Sequence, residues 1–181
     1  MQYAALAGRI GPATMGHAHG ADGNMRRLLK FLHTIGAIGM MGAMACLLVL
    51  LALAPQPSQA AEYAALYGAM GRIAGWVLFP SLGLTLVSGL LSMAANRAYQ
   101  NAGWALVKLA TGVLVFEAGF AGVVGPLQDE AERSAQALAS GAVLVETSGA
   151  ITGTIWVLIA LSVLNVALGV WRPRLRRRVN A

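Results

Sequence analysis

Residues 28–54 read LLKFLHTIGAIGMMGAMACLLVLLALA, and this stretch decides the fold class of the chain. Apart from Lys30, His33 and the ordinarily neutral thiol of Cys46, it contains no ionisable side chain. About 20 apolar residues, at about 1.5 Å of rise each, cross a hydrocarbon core of about 30 Å, so the stretch predicts a transmembrane helix. His33 is the only histidine of the sequence inside an apolar run, which makes this helix the first place to look for function.

The composition of the whole chain agrees with a lipid environment. Of the 181 residues, 57% are hydrophobic and 11% are charged, whereas a soluble domain contains about 25% charged residues. The single cysteine excludes an internal disulfide. The net charge of +6 is compatible with nucleic-acid binding, but its distribution along the chain is explained better by membrane orientation, and we expect no nucleic-acid partner.

Three further apolar runs complete the predicted architecture, at residues 73–95, 104–124 and 142–170. Together with residues 28–54 they predict an all-α polytopic membrane protein, a four-helix transmembrane bundle over residues 28–171. A Gly- and Ala-rich segment (residues 1–27), expected to be mobile or interfacial, precedes the bundle, and a basic tail (residues 172–181) follows it.

Details inside the runs add local expectations. Pro80 should kink the second span, and Gly125-Pro126 should end or bend the third. The acidic stretch at residues 127–140 is expected to be helical but outside the bilayer. Tyr63 and Tyr67 precede the second span and suit the headgroup belt of a membrane.

The basic residues predict the orientation. With both termini in the cytoplasm, 11 of the 13 Lys and Arg residues lie on or near the inner side, and only Arg72 and Arg133 lie outside. The positive-inside rule favours this arrangement. We therefore predict a multi-pass protein of the bacterial plasma (inner) membrane, with anionic lipids at the basic tail. A homo-oligomer or another membrane protein is left open as a partner.

A cleaved secretory signal is the alternative interpretation of the first 60 residues. Its n-region would hold Arg26, Arg27 and Lys30, and Ser58-Gln59-Ala60 would be the cleavage site. The apolar region of a signal peptide has about 7–15 residues, and the run at residues 28–54 is far longer. The sequence therefore favours a membrane helix.

Polar side chains from all four predicted spans fall in one layer near the inner side. His33 and Lys108 lie about 6–8 Å inside the inner boundary, and Asn165 about 9 Å inside it; Ser88 and Ser92 reach the same layer. Ionisable groups inside a span are costly, so each is a functional hypothesis. Two structural alternatives stay open: Lys108 is close enough to the interface to snorkel, and His33 can donate to a backbone carbonyl as a packing contact.

Glu117 lies deeper in the third span than Lys108. Nine steps of about 100° place Glu117 and Lys108 on opposite faces of a helix, so they cannot pair directly. Glu117 must be protonated, face a cavity, or meet a partner such as Arg72 or a serine, and we consider it a candidate proton relay.

The first span also contains soft sulfur ligands. Met40 and Met44 lie on the same side of the helix as His33. Thioethers with an imidazole can hold copper, and a methionine can be an axial haem ligand, although methionine is also an ordinary filler of packing gaps. The small residues Gly36, Gly39 and Ala43 and the pairs Gly71/Gly75 and Gly149/Gly153 are expected to allow close helix packing.

Two weaker patterns complete the motifs. His17 and His19 form a GHAHG element, but two histidines alone are a weak metal-ligand set, so a flexible tail is the favoured interpretation. Trp76-Val77-Leu78 followed by Gly89 matches Trp156-Val157-Leu158 followed by Gly169 with the same spacing. The match suggests two equivalent hairpins, although coincidence in apolar sequence is the simpler explanation.

The first helix, with LLKFLHTIGAIGMMG at residues 28–42, resembles the opening of a group of bacterial four-helix membrane proteins. The group includes the copper-resistance CopD-like domain and the HemJ-type protoporphyrinogen oxidases. Residues 104–109, WALVKL, resemble the start of the third HemJ helix with its lysine. The resemblance implies that His33 is a ligand of haem b and that Lys108 is functionally required. Gly39-Met40-Met41-Gly42 departs from the HemJ pattern, so a member other than a protoporphyrinogen oxidase is implied.

Three functional hypotheses result, and they leave open whether the chain is an enzyme. The first is a haem-associated or redox-linked bundle whose candidate cofactor ligands are His33, Met40, Met44 and Asn165, with His33 as the metal ligand and Lys108 and Glu117 as candidate catalytic residues. The second is copper or cation/proton transport along the methionines and Glu117. The third is an accessory membrane subunit without chemistry of its own.

Overall fold

The computed structural model describes residues 15–95, 103–144 and 148–171, with side chains from residue 23 onwards except that of Ser148. Within these ranges the chain is helical and contains no strand. Four continuous helices there are long and apolar enough to cross a membrane. The predicted all-α transmembrane four-helix architecture is therefore confirmed.

The helices have the following bounds. They are α1 (Met15–Ala52), α2 (Ala60–Ile73), α3 (Phe79–Ala94), α4 (Gly103–Gly119), α5 (Gly125–Ser140) and α6 (Ser148–Trp171). A π-helical turn, Ala74–Leu78, joins α2 to α3, and a second one, Phe120–Val124, joins α4 to α5. The four spanning helices are thus α1, α2–α3, α4–α5 and α6.

Each π-helical turn is followed by a proline, with one residue between them. Pro80 and Pro126 come two residues after the respective turns. Proline has no backbone N–H and its ring crowds the preceding turn, and a locally widened turn accommodates both effects. The N–H of Phe79 accordingly donates to the carbonyl of Ala74, five residues earlier. The helices therefore continue through both prolines, so of the two outcomes expected at Gly125-Pro126, an end or a bend of the third helix, the end does not occur.

Several helices begin or end at residues other than the ends of the predicted apolar runs. The second helix begins at Ala60 rather than at residue 73, and the third continues to Ser140, where Gly141 ends it with a left-handed φ of 73°. The first helix begins at Met15, inside the segment expected to be mobile or interfacial. The fourth helix begins at Ser148, not at residue 142. Residues 1–14, 96–102, 145–147 and the basic tail lie outside the described residues, as do the side chains of His17 and His19.

The extensions of the second and third helices pack on each other as α2 and α5, a pair that we call the cap. The α4–α5 helix has 38 residues, about 57 Å of length, and exceeds a hydrocarbon core of about 30 Å. The acidic stretch at residues 127–140 is helical as predicted. The α4–α5 helix is therefore long enough for its capped end to extend past the bilayer core.

A buried polar network holds the cap together. Glu130 is 5% exposed, accepts a hydrogen bond from the Tyr63 hydroxyl at 2.9 Å and is bound by the Arg133 guanidinium at 2.6–3.0 Å. The ring of Tyr67 lies 4.4 Å from that of Tyr63, and both side chains are 1% exposed. The prediction that these tyrosines lie in a headgroup belt is wrong, because α5 covers them.

The four spanning helices form a ring around a central space. α1 packs on α3 and α6, and α4 packs on the same two helices. The end of the bundle that contains Arg26, Arg27 and Lys30 is called the basic end, and the opposite one the capped end. Most of the largest fully buried side chains lie in the half towards the cap; they include Met44, Leu47, Met70, Leu78, Val123, Leu127 and Ile155.

Small residues bring α1 and α3 together. A Cβ atom on Gly36 would lie 2.5 Å from Thr85 Oγ1 and 2.9 Å from the Thr85 nitrogen, and one on Gly39 would lie 2.5 Å from Ser81 Oγ. The predicted close packing at Gly36 and Gly39 is confirmed, as it is for Gly71 and Gly75, which face α5. It is wrong for Gly149 and Gly153, because no described atom lies within 4 Å of a Cβ built there.

We predict that Gly36→Ala lowers the free energy of unfolding by about 1–3 kcal/mol, since the added methyl group meets backbone atoms that cannot rotate away. Chemical unfolding of the protein in detergent micelles, followed by circular dichroism, measures the change. Gly42→Ala on the same helix is the matched control, because a Cβ there meets nothing within 4 Å. Equal stabilities of the two variants would contradict a tight α1–α3 contact.

A candidate ligand cavity between the spanning helices

A cavity of about 430 Å³ opens between the four spanning helices in the half towards the basic end. Apolar side chains from α1, α3, α4 and α6 form most of its wall. The side chains with polar atoms that line it are Lys30, His33, Thr34, Thr85, Ser92, Trp104, Lys108, Ser162 and Asn165. The polar layer predicted from the four spans is confirmed as a shared cavity, and Ser88 lies directly behind it.

His33 is held against α3 by one ring nitrogen. Its Nδ1 lies 2.9 Å from the Thr85 carbonyl oxygen and 3.3 Å from Ser88 Oγ. The Ser88 hydroxyl itself donates to the Leu84 carbonyl, so both groups facing Nδ1 act as acceptors. This assigns the proton of the neutral imidazole to Nδ1 and leaves the lone pair on Nε2.

The available nitrogen of His33 is therefore suited to bind a ligand. Within the described part of the chain, Nε2 has no hydrogen-bond partner, and the side chain lines the cavity. Metal-binding histidines usually donate their second ring N–H to a carbonyl or carboxylate, which fixes the ring. The Thr85 carbonyl supplies that second contact here. The sequence analysis allowed a contact of His33 with a backbone carbonyl, but it could not name the carbonyl because a backbone atom leaves no residue signature.

Lys108 lies on α4 against α6. A Cβ atom on Gly169 would be 2.8 Å from Lys108 Nζ, so the ammonium group occupies the space that a side chain at position 169 would fill. Asn165, one turn earlier on α6, has its Nδ2 4.0 Å from a Cβ built on Gly112. Lys108 and Asn165 thus line the same cavity as His33, and Gly169 makes room for the cation.

Gly169 has a counterpart in the first half of the chain. Gly89 of α3 faces His33, whose Cε1 lies 3.4 Å from a Cβ built on that glycine. These are the two glycines of the repeated Trp-Val-Leu pattern. In both hairpins, therefore, the second helix presents a glycine to the polar side chain of the first helix.

Two further polar atoms in the cavity wall lack partners. Ser162 is 6% exposed, and neither its Oγ nor the Oδ1 of Asn165 has a hydrogen-bond partner in the described residues. Ser92 and Thr154 donate to the carbonyl four residues earlier, as helical hydroxyls commonly do, whereas Ser162 does not. Ser162 was not predicted, although its spacing of three residues from Asn165 places both on one helical face.

The other predicted site residues do not all reach the cavity. Met40 lines it and is 5% exposed. Met44 is fully buried in the hydrophobic core, one turn nearer the cap, and does not line it. Glu117 is exposed on the outer surface of α4. The prediction that Glu117 and Lys108 lie on opposite faces is confirmed, and the structure does not bring Glu117, Met40 and Met44 together.

Comparison of the chain with protein-family models, with curated proteins and with solved structures finds no match. The resemblance to CopD-like and HemJ-type proteins therefore rests on the residues quoted for it alone. The described residues also contain no group of three or more His, Cys, Asp or Glu side chains able to hold a metal ion.

We predict that Glu117→Gln changes the free energy of unfolding by no more than about 0.5 kcal/mol. The side chain is exposed, and glutamine preserves its shape. Glu130→Gln is the control, with an expected loss of about 1–3 kcal/mol, because it weakens a buried charge-assisted network. Loss of folding on Glu117→Gln would instead mean that Glu117 is ionised and paired with a cation.

Proposed function

We propose that this chain is a haem-associated membrane protein whose cavity would hold haem b through His33 Nε2. The observation that carries the proposal is the contact of His33 Nδ1 with the Thr85 carbonyl. This contact fixes the imidazole ring and leaves an unprotonated nitrogen at the cavity, in the half of the bundle towards the basic end. Bound haem would supply one-electron or oxygen chemistry, tuned by its axial ligand and surroundings.

The cavity has the size and lining of a ligand pocket. Ligand pockets have volumes of about 300–1,000 Å³ and are mostly apolar with a few polar groups, and this one has about 430 Å³. Leu82, Leu86, Leu109 and Phe116 are among its apolar walls. An apolar macrocycle with two carboxylates needs this combination of an apolar wall and a cation such as Lys108.

Lys108 is the residue that we assign to a carboxylate of the ligand. It lies near the start of α4 and lines the cavity at the basic end. An ammonium group held against Gly169 presents a localised charge to an anionic group entering from that end. Met40 lines the same cavity, so the chain offers either His33 alone or His33 with Met40 as iron ligands.

The distribution of charge along the bundle supports a location of the cavity in the cytoplasmic leaflet. Arg26, Arg27, Lys30 and Lys108 are near one end, and the acidic residues of α5 are in the cap at the other. By the positive-inside rule we place the basic end at the cytoplasmic face of a bacterial plasma membrane.

Transport of copper or cations through the methionines and Glu117 is supported less well. That path needs Met44 and Glu117 on a common channel, whereas one is in the hydrophobic core and the other faces outwards. No observation favours an accessory role specifically, because a cavity with oriented polar groups is not needed for packing alone.

We predict that protein purified after haem-supplemented expression has a Soret band and that His33→Ala abolishes or shifts it. Lys108→Met should retain the band but weaken haem affinity about tenfold or more, as expected when a partly desolvated charge pair is removed. Absorption spectroscopy with haem titration measures both effects. Met44→Leu, a volume-conserving change outside the cavity, is the control and should leave the spectrum unchanged. A folded wild-type protein without a Soret band would refute the proposal.

A further inference from the structure

Ser162 and Asn165 form a pair of buried polar groups that no contact within the described chain explains. Leaving a buried hydroxyl or amide oxygen without a hydrogen bond lowers the stability of a protein. The hydroxyl of Ser162 is 6% exposed, and its helix offers it the Leu158 carbonyl four residues earlier, yet it makes no such bond. Buried polar atoms are almost always hydrogen-bonded, so these two atoms at a cavity wall are available to a water or to another bound group.

The position of the pair limits what that group can be. α1 and α4 each pack on α3 and α6, so α3 and α6 form opposite walls of the cavity. His33 is hydrogen-bonded to the Thr85 carbonyl of the α3 wall, whereas Ser162 and Asn165 are on the α6 wall. A group bound between His33 and the α6 wall therefore has the imidazole on one side and the hydroxyl–amide pair on the other.

The chemistry of the pair favours a small uncharged ligand. A serine hydroxyl donates one hydrogen bond and accepts others, and an asparagine amide does both, but neither carries charge. Two cations line the cavity, Lys30 on α1 and Lys108 on α4, and Lys108 is assigned to a carboxylate. Ser162 and Asn165 thus suit a neutral molecule that accepts or shares a hydrogen bond.

We propose that Ser162 and Asn165 form a polar subsite for a small neutral ligand of the iron, a water or a diatomic gas, on the side of the cavity opposite His33. The inference rests on the proposed haem function, with His33 as the one protein ligand of the iron, and adds to it a binding position and the two residues that stabilise its occupant. In the ligand-free protein the pair has no protein partner, and it gains one when the small ligand is bound.

The first test uses protein without haem. Ser162→Ala removes a hydroxyl without a partner, so we expect the free energy of unfolding to stay the same or to rise. Thr154→Val on the same helix is the control, because the Thr154 hydroxyl is already bonded to the Ala150 carbonyl and does not line this cavity. A loss of stability on Ser162→Ala that Thr154→Val does not show would mean that the hydroxyl has a structural partner, and would overturn the inference.

The second test uses reduced, haem-loaded protein with carbon monoxide as the probe. A hydrogen-bond donor beside the bound oxygen atom lowers the C–O stretching frequency, so Ser162→Ala and Asn165→Leu should each raise it in the infrared spectrum. Thr154→Val should leave it unchanged. A normal Soret band with a stretching frequency insensitive to both substitutions would overturn the subsite alone, whereas a wild type without haem would overturn the proposed function and the subsite with it.

Discussion

The contact between α1 and α3 is the constraint on which the cavity depends. Gly36 and Gly39 let the backbone of α3 approach α1 so closely that a Cβ on either residue would meet Thr85 or Ser81 at 2.5 Å. In lipid the hydrophobic effect does not drive helices together, and close packing of small residues takes its place. One turn towards the basic end, the same approach brings the Thr85 carbonyl within 2.9 Å of His33 Nδ1. The orientation of the imidazole is therefore a consequence of helix packing.

The bundle divides its length between stability and binding. Towards the cap, large side chains such as Leu47, Leu78 and Ile155 are fully buried, and beyond them α2 and α5 are joined by the Tyr63–Glu130–Arg133 network. Towards the basic end the packing opens into the cavity. A packed half that fixes the helix positions allows the other half to keep a space with oriented polar groups, because rigid elements hold a site more precisely than loops do.

Much of this was predictable from the sequence because lipid imposes simple rules. Apolar runs of sufficient length predicted the four spans, and helical periodicity predicted that Lys108 and Glu117 face opposite ways. The depth of His33, Lys108 and Asn165 in their spans predicted a common layer. These predictions depend only on rise per residue and angle per residue, which the helices obey.

The errors arise where a neighbouring helix, not the local sequence, decides the outcome. Tyr63 and Tyr67 resemble interfacial residues until α5 covers them. Met44 lies on the same side of α1 as His33, but the neighbouring helices bury it in the hydrophobic core, outside the cavity. Ser162 was overlooked because a serine in a helix ordinarily bonds to its own backbone, and only the structure reveals that this one does not.

The central claim is a polar cavity between the four spanning helices. It requires α4 to turn Lys108 into the bundle and Glu117 outwards, and spin-label accessibility along residues 105–121 tests this requirement most directly. The exposed Cys46 would first be replaced by alanine, and one nitroxide-labelled cysteine placed at each position in turn in reconstituted vesicles. The account predicts a helical period of about 3.6 residues in oxygen accessibility, with maxima at the exposed positions 113 and 117 and minima at 108 and 115. A maximum at position 108 together with a minimum at 117 would contradict the arrangement of the bundle.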